Sequence, residues 1–335
     1  MKKSHLLFCV FAGLTLILFS CSNQKNFKVG FLFPNMVSDR YQKEKVYFTE
    51  KINALGGDAI TMSGDYSDQK QIEQATDLIN KGVKVLVVNP LNLNTEAAII
   101  RKAHDNNVVV IAYDRLIRNC DLDFFLTFDN EKVGRLMAYY AMKIKPEGKY
   151  VLLGGDKADQ NAVWVKKGQL DALAPSINSG KIKIVYNVFV EDWSDENAQF
   201  MMKKYFNLSG EIPDAILSSY DGMSTGVIEL FDKYNIAPGQ IVVTGQDAEL
   251  AACRNIVKGY QTMTIYKSVR NLAYKAAELC AKIANKEKLT GADTTINNGQ
   301  INVPTILLDP VVVDINNLKS TVIADGFVKE TEIYK

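Results

Sequence analysis

Short apolar runs alternate with longer amphipathic segments along nearly the whole chain from residue 27 onward. The β-rich runs include FKVGFLF (27–33), VKVLVV (83–88), VVVIAY (108–113) and KYVLLGG (149–155). In the segment before the second run, Ile72, Ala75 and Leu78 recur at helical spacing. Apolar strands without polar alternation are buried on both faces, and strands that alternate with helices form parallel sheets covered by helices. The pattern therefore predicts an α/β fold.

The same alternation starts again in the second half of the chain. A helical segment begins near Glu131, and further apolar runs span 149–155, 181–190, 214–219, 240–245 and 261–266. With 335 residues, two rounds of the pattern predict two doubly wound, Rossmann-like domains. The tail after a helix near 268–286 is β-rich and has no further βα repeat. We expect it to cross between the domains and to close the second sheet.

The N-terminus carries the features of an export signal. Lys2 and Lys3 precede an apolar run over 6–19, and the run ends in LFSC at Cys21. A positive start, a short hydrophobic stretch and a small residue before the cut are typical of a secretory signal peptide, and the stretch is short for a membrane span. A cysteine directly after Ser20 resembles a bacterial lipobox. We predict that 1–26 is a signal peptide and tether with Cys21 lipidated, the alternative being a plain cleaved signal.

Charge and cysteine content narrow the classes of partner. The formal net charge of +1 gives no case for nucleic-acid binding, which usually requires a basic face. Beyond the export signal the cysteines are Cys120, Cys253 and Cys280, an odd and widely spaced set. Such a set indicates neither a disulfide framework nor a metal pattern, so we expect buried free thiols and predict no metal and no cofactor.

Polar or aromatic side chains follow nearly every apolar run. In open parallel sheets, ligands bind outside the carboxyl ends of the strands, so these side chains should line one cleft between the domains. Planar charged groups form strong hydrogen bonds to hydroxyls, and aromatic rings stack on the C–H faces of a pyranose. The set therefore predicts a sugar site. Its members at the strand ends are Arg40, Tyr41, Asn92, Asp114, Arg115, Asp159, Gln160, Asn161, Trp193, Tyr220, Asp221, Gln246, Asp247 and Lys267.

An enzyme is the first alternative. His104 is the one histidine after the export signal, near a helix end where we expect it to face solvent, and no nucleophile elbow, Walker loop or Cys/His metal constellation is present. Asp114 and Asp247 could form a glycosidase pair. Their cationic neighbours should lower both pKa values, which suits hydrogen-bond acceptors better than a general acid. We therefore predict binding without catalysis.

Regulation is the second alternative. Sugar-responsive repressors share this architecture, but they carry a helix-turn-helix before the first strand, where this chain has an export signal. DNA binding is therefore excluded. One regulatory alternative stays open: a sugar sensor that presents its liganded form to a membrane histidine kinase. The sequence does not separate such a sensor from a protein that binds sugar for transport.

Four segments resemble the periplasmic D-xylose-binding proteins of ABC transporters, a type I periplasmic sugar-binding family. They are IAYDRLIRNCDLDFFLTFDNEKVGRL (111–136), TGQDAELAACRNIVKGYQTMTIYK (244–267), NNGQINVP (297–304) and VIADGFVKE (322–330). The resemblance extends over essentially the whole chain after residue 27. It implies the type I periplasmic-binding fold, two Rossmann-like domains joined by three crossovers. The implied lobes are 27–129 plus 267–308, and 130–266 plus 309–335.

The resemblance also assigns the sugar contacts. They fall on Arg40, Asp114, Arg115, Asp159, Asn161, Trp193, Asp247 and Lys267. Two positions depart from the family pattern: Tyr41 stands where the family usually has Trp, and Tyr220 stands where it has Asn. The first change keeps an aromatic plate, whereas the second replaces an amide by a bulkier phenol and leaves the identity of the sugar open.

The function that the resemblance implies is delivery of a sugar to a membrane importer. We expect a monomeric, exported lipoprotein in the periplasm, anchored to a membrane through Cys21. It would bind a monosaccharide, xylose first or another aldopentose, between its lobes and deliver it to an ABC permease in the inner membrane.

Overall fold

The computed structural model describes residues 27–287, 292 and 294–335. The predicted signal peptide and tether, with Cys21, lie outside these described residues. No helix within these ranges is long and apolar enough to cross a membrane. Cys120, Cys253 and Cys280 are buried free thiols, which confirms the prediction for them.

Strands and helices alternate as predicted. The strands are β1 (Phe27–Phe33), β2 (Gly57–Ser63), β3 (Val85–Val88), β4 (Val109–Tyr113), β5 (Phe124–Phe128), β6 (Gly148–Gly154), β7 (Ile182–Phe189), β8 (Ala215–Ser218), β9 (Val242–Val243), β10 (Thr264–Tyr266), β11 (Thr294–Asn297), β12 (Asn302–Leu308) and β13 (Val311–Val313). The helices are α1 (Asp39–Ala54), α2 (Asp68–Asn80), α3 (Ala97–His104), α4 (Asn130–Ile144), α5 (Gln160–Asn178), α6 (Asp195–Ser209), α7 (Asp221–Ile228), α8 (Leu250–Lys258), α9 (Val269–Ala284) and α10 (Glu330–Ile333).

Two main sheets divide the described chain. The larger has the strand order β11-β12-β5-β4-β3-β1-β2 and is parallel except for the antiparallel pair β11–β12. The smaller has the order β7-β6-β8-β9 and is parallel throughout. Both are open, doubly wound sheets, so the predicted α/β fold is confirmed.

Helices bury both faces of each sheet. On the larger sheet, Phe48 of α1 and Leu272 of α9 belong to one apolar cluster, and α2 and α3 contribute to a second cluster on the other face. On the smaller sheet, α6 and α7 contribute to one cluster, and Ala138 of α4 and Leu173 of α5 belong to another. The uninterrupted apolar runs of the sequence thus correspond to strands that are covered on both sides.

The chain crosses between the two sheets three times. It does so after β5, after β10 and after β12. The tail therefore crosses as expected, and β12 pairs with β5 in the larger sheet. β13 pairs with β10 in an antiparallel ladder, and a parallel bridge between Gln246 and Ile265 joins β10 to the chain just after β9, so the tail extends the edge of the smaller sheet as expected.

Two glycines allow α4 and α5 to pack in close contact. A Cβ atom on Gly134 would lie 1.9 Å from the carbonyl oxygen of Val165, and one on Gly168 would lie 2.0 Å from that of Glu131. Any larger residue would push the helices apart. Because the start of α5 carries polar groups, this contact fixes those groups relative to α4, the helix that follows the first crossover.

Candidate functional site

A cleft of about 880 Å³ lies at the carboxyl ends of the strands of both sheets. Eleven of the residues that the sequence assigned to the site line it: Arg40, Tyr41, Asp114, Arg115, Asp159, Asn161, Trp193, Tyr220, Gln246, Asp247 and Lys267. The first four lie on the side of the larger sheet. Asp159 to Asp247 follow strands of the smaller sheet, and Lys267 follows β10 at the second crossover.

Three strand-end residues that the sequence suggested, Asn92, Gln160 and Asp221, do not line the cleft, and Gln160 accepts a hydrogen bond from Arg118 instead. The side-chain oxygen of Asn92 accepts hydrogen bonds from the backbone amides of Asn94 and Thr95 and organises the loop before α3. Asp221 is wholly buried and accepts hydrogen bonds from Gln261 and Thr264, both at 2.8 Å. Asn92 and Asp221 therefore stabilise loops and do not face a ligand.

Asp114 is the most strongly held carboxylate of the cleft. It follows β4 in the left-handed region with φ +67° and is 6% exposed. Its Oδ2 lies 2.9 Å from Nη2 of Arg40. Burial alone would raise the pKa of Asp114, but the positive charges of Arg40, Lys267 and Arg115 hold it below its usual value. Asp114 is therefore an ionised hydrogen-bond acceptor, which supports the expectation that it does not act as a general acid.

The backbone of Asp114 is bonded to the opposite side of the cleft. Nδ2 of Asn161, at the start of α5, donates to the Asp114 carbonyl oxygen at 3.0 Å. Oδ1 of Asn161 in turn accepts from Asn130 at the start of α4, also at 3.0 Å. An amide that is buried needs partners for its donors and its acceptor, and these bonds satisfy it. Asn161 therefore links the two sheets at the floor of the cleft.

An ion pair also spans the cleft. Nε of Arg115, after β4, lies 3.2 Å from Oδ2 of Asp159, after β6. The other carboxylate oxygen of Asp159 caps α5 by accepting the Asn161 backbone amide at 2.9 Å. A helix N-terminus stabilises a carboxylate, so Asp159 is held by a cation and by backbone donors at once. The pair positions Arg115 beside Asp114.

Glu44 lies behind Arg40 and was missed by the sequence reasoning. Its Oε1 is 2.9 Å from Nε of Arg40, one helical turn away on α1, and the carboxyl is wholly buried. Burial raises the pKa of Glu44 to about 7 in spite of the neighbouring Arg40. The four-residue spacing on one helix face was the available signal. Glu44 thus orients the guanidinium that contacts Asp114.

Asp247 and Lys267 form a third charged pair. Nζ of Lys267 lies 3.0 Å from Oδ1 of Asp247, and Lys267 is 5% exposed. Asp247 follows β9 with φ +91°, a strained conformation for a residue with a side chain. Strain of this kind is common at ligand sites, and here it turns the carboxylate toward the lysine.

Aromatic rings form part of the wall on the smaller sheet's side. Trp193 and Tyr220 meet edge to face, with ring centroids 6.2 Å apart. A Cβ atom on Gly155 would lie 2.2 Å from the ring of Trp193, so only glycine leaves room for the indole. Nε1 of Trp193 is buried and has no hydrogen-bond partner in the described structure. Tyr41 provides a ring from the other side of the cleft.

Further polar groups line the cleft although the sequence prediction did not select them. They include Glu249 and Asp195. The hydroxyl of Tyr220 donates to Oε1 of Glu249 at 2.5 Å. Gln246, a strand-end residue that the sequence did suggest, follows β9 just before Asp247, and its side-chain oxygen is buried without a partner among the described residues.

The described residues contain no cluster of His, Cys, Asp and Glu side chains that could hold a metal ion. His104 lies outside the cleft at the end of α3, where Nε2 is 2.9 Å from Oδ2 of Asp123. It is partly buried and not simply solvent-facing as expected, because this contact holds it against the loop before β5.

Two parallel-sheet lobes that share a cleft of paired charges, amides and aromatic rings define a class of two-lobed binding proteins. A family model described as a periplasmic binding protein domain matches residues 29–288. The chain therefore belongs to the periplasmic binding protein family, whose members bind substrates and are not enzymes. This assignment confirms the fold and the family that the sequence predicted.

Individual relatives agree with this assignment. The chain is 40% identical to a D-xylose-binding periplasmic protein of Haemophilus influenzae over 332 residues, 99% of each chain. It is 38% identical to the protein of the same description from Escherichia coli, over 93% of this chain and 94% of the relative. A solute-binding protein of an ABC transporter from Clostridium phytofermentans, solved with bound β-D-glucose, superimposes with a TM-score of 0.81. It is 27% identical to this chain and covers 91% of it and 99% of its own length.

Replacing Glu44 by Gln is expected to change how stability depends on pH. The pKa of Glu44 in the folded protein is about 7, above its ordinary value of 4.5, so the folded chain binds this proton more tightly than the unfolded chain. The resulting stabilisation is complete below pH 4.5 and is lost as the pH rises through 7. The quantity to compare is the free energy of unfolding of the wild type minus that of Glu44→Gln. We expect this difference to fall by about 3 kcal/mol as the pH rises from 4.5 through 7.

Urea unfolding at a series of pH values measures this difference. Glu50→Gln, an exposed substitution on the same helix, serves as the control for the loss of a surface carboxylate. A difference for Glu44→Gln that falls no more with pH than that of the control would contradict the burial of an ionisable carboxyl behind Arg40.

Proposed function

We propose that this protein is an exported binding protein that holds one monosaccharide in the cleft and delivers it to an ABC importer. The observation that carries the proposal is the arrangement of three ion pairs around a single cleft: Arg40–Asp114, Arg115–Asp159 and Lys267–Asp247. Each sugar hydroxyl donates one hydrogen bond and accepts others, so a wall of alternating carboxylates and cations satisfies both roles. Each pair combines one positive and one negative formal charge, and this balance suits an uncharged ligand.

The relatives support the choice of ligand. Those from Haemophilus influenzae and Escherichia coli are described as D-xylose-binding. Tyr220 stands where the family pattern has asparagine, and it is the one residue of the proposed site that changes in chemical class. Its phenol ring is bulkier than an asparagine side chain and narrows the cleft beside Trp193. A hexose carries an additional hydroxymethyl group that must find room. Xylose, or another aldopentose in its pyranose form, is therefore the proposed ligand.

The proposed mechanism is closure of two lobes around the sugar. The proposed lobes are 27–129 plus 267–308, and 130–266 plus 309–335, with hinges at the crossovers near 128–130, 266–268 and 308–310. Because Asp114 and Asp159 lie on opposite sides, a sugar bonded to both binds the closed form better than the open form. The importer would then recognise the closed form.

Truncating the cleft residues is expected to weaken sugar binding strongly. Asp114→Ala leaves Nη2 of Arg40 without its acceptor and removes a negative charge near Lys267, and Asn161→Ala removes the link to the Asp114 carbonyl. We expect each to cost about 2–4 kcal/mol, or about 30-fold to 1,000-fold in Kd. Isothermal titration calorimetry measures the loss, with His104→Ala as a control that should leave Kd unchanged. Affinity that survives both truncations but falls with His104→Ala would contradict the placement of the site.

The proposed lipid anchor depends on Cys21. We expect Cys21→Ala to abolish membrane association, because the thiol that would carry the lipid is then absent. Fractionation of cells into soluble and membrane fractions measures this. Cys9→Ala, a change within the same apolar run, should leave the protein membrane-bound. Continued membrane association of Cys21→Ala would show that the anchor is elsewhere or absent.

A thermal-shift panel tests the sugar assignment. A ligand that binds only the folded state raises the melting temperature by mass action. We expect the largest shift with xylose or with arabinose or ribose, and smaller shifts with glucose and galactose. A large shift with a hexose and none with any pentose would refute the pentose assignment. Without a shift for any sugar, the monosaccharide proposal itself would fail.

A further inference from the structure

The hydrogen bond between Tyr220 and Glu249 limits what this corner of the cleft can offer a ligand. A phenol carries one O–H donor and lone pairs that accept. Because Tyr220 gives its proton to Oε1 of Glu249 at 2.5 Å, its oxygen has only lone pairs left for the cleft. An ionised carboxylate also has only acceptors. Both side chains line the cleft, so the pair itself presents acceptors and no donor.

The charges around Glu249 have one sign. Within the described chain Glu249 forms no ion pair, in contrast to Asp114, Asp159 and Asp247, each of which faces a cation. Burial raises the pKa of Glu249, the hydrogen bond from Tyr220 opposes that rise, and the negative charges of Asp247 and Asp195 add to it. The carboxylate therefore lies in a partly buried region of negative electrostatic potential, where an added positive charge would be stabilised.

The backbone holds Glu249 in this position. Its amide donates to Oδ2 of the wholly buried Asp221 at 3.0 Å, and it precedes the first residue of α8. The ring of Tyr220 is fixed by close contacts on other sides. It packs so tightly on Gly222 that a Cβ atom there would lie 2.5 Å from it, and it meets the indole of Trp193 edge to face. The pair is thus preorganised, and neither side chain needs to move when a ligand arrives.

We propose that Tyr220 and Glu249 form an acceptor-only subsite that selects the sugar by one donating hydroxyl and also accepts a protonated amine in its place. Amino sugars, in which one hydroxyl is replaced by an ammonium group, are then a further class of ligand. This inference rests on the proposed monosaccharide function. A methyl ether or a deoxy sugar at the same position leaves both acceptors unpaired, and an anionic substituent is repelled by Glu249.

An asparagine at position 220 would behave differently. Its amide group has two N–H donors as well as an acceptor oxygen, so it can bond a hydroxyl in either direction, and a donor facing an ammonium group is repulsive. Replacing Tyr220 by Asn therefore adds a donor to the subsite. Tyr220 in place of the family's Asn therefore changes which chemical group the protein accepts at one position of the sugar, in addition to changing the space in the cleft.

Calorimetric titration at about pH 7, where a sugar amine with the pKa of an α-amino group is largely protonated, tests the proposal. The probes are xylose and its singly substituted amino, deoxy and O-methyl derivatives at each ring hydroxyl. We expect one position at which the amino derivative binds within about tenfold of xylose while the deoxy and O-methyl derivatives lose about 100-fold or more. At the other positions the amino derivative should bind no better than the deoxy sugar.

Two variants assign the effect to this subsite. Glu249→Gln removes the negative charge with little change in shape, and Tyr220→Asn adds a donor. Glu249→Gln should weaken the amino derivative at least about tenfold more than it weakens xylose, because a hydrogen bond to a charged acceptor is about twice as strong as a neutral one. Tyr220→Asn should do the same, because its added N–H donors repel an ammonium group. Exposed Glu50→Gln should change neither value, and melting temperatures confirm that each variant is folded.

The outcomes separate this inference from the function on which it rests. If xylose binds but every amino derivative binds about 100-fold or more weakly, the subsite is overturned and sugar binding stands. The same holds if the preference for an amine is unchanged in Glu249→Gln. If the panel shows no binding of xylose or of any derivative, the pentose function and the subsite both fail.

Discussion

The rest of the site depends on the buried carboxylate of Asp114. A buried charge is costly unless it is paired and hydrogen-bonded, and Arg40, Lys267 and Arg115 supply the compensating charge here. Each of these cations has a second carboxylate: Glu44 for Arg40, Asp159 for Arg115 and Asp247 for Lys267. The result is a connected network, so removing one charged side chain takes a charge partner away from a neighbour. This connection explains why residues that are far apart in the sequence should weaken binding to a similar extent when truncated.

The same network couples chemistry to motion. The Asp114 carbonyl accepts from Asn161, and Arg115 contacts Asp159, so the tips of β4 and α5 already touch across the cleft. The guanidinium of Arg118 also donates to Gln160 beside them. A sugar that joined this network would add bonds to both sides at once, and its binding free energy would favour the closed arrangement of the lobes. The close packing of α4 on α5 keeps the tip of α5 rigid while the crossovers flex.

The sequence was sufficient for the fold and for the strand-end residues, because both follow from local pattern. Uninterrupted apolar runs mark strands that are buried on both faces, and the side chain after such a run lies at the carboxyl edge of the sheet. Orientation and pairing could not be read in this way. Asp221 follows β8 as Asp247 follows β9, yet Asp221 turns into the core to bond Gln261 and Thr264. Glu249 and Glu44 were missed because their roles arise from contacts with Tyr220 and Arg40 in three dimensions. The antiparallel pairing of β13 with β10 likewise joins segments that are far apart in the sequence, which a local pattern does not show.

The central claim is that one sugar bridges both lobes through the Asp114 network and shifts the protein to a closed form. Small-angle X-ray scattering of the protein with and without saturating sugar tests it most directly. The account predicts a smaller radius of gyration with xylose, or with whichever pentose gives the largest thermal shift, and no such decrease for Asp114→Ala at the same sugar concentration. A scattering profile of the wild type that stays unchanged when calorimetry shows the site to be saturated would contradict the claim.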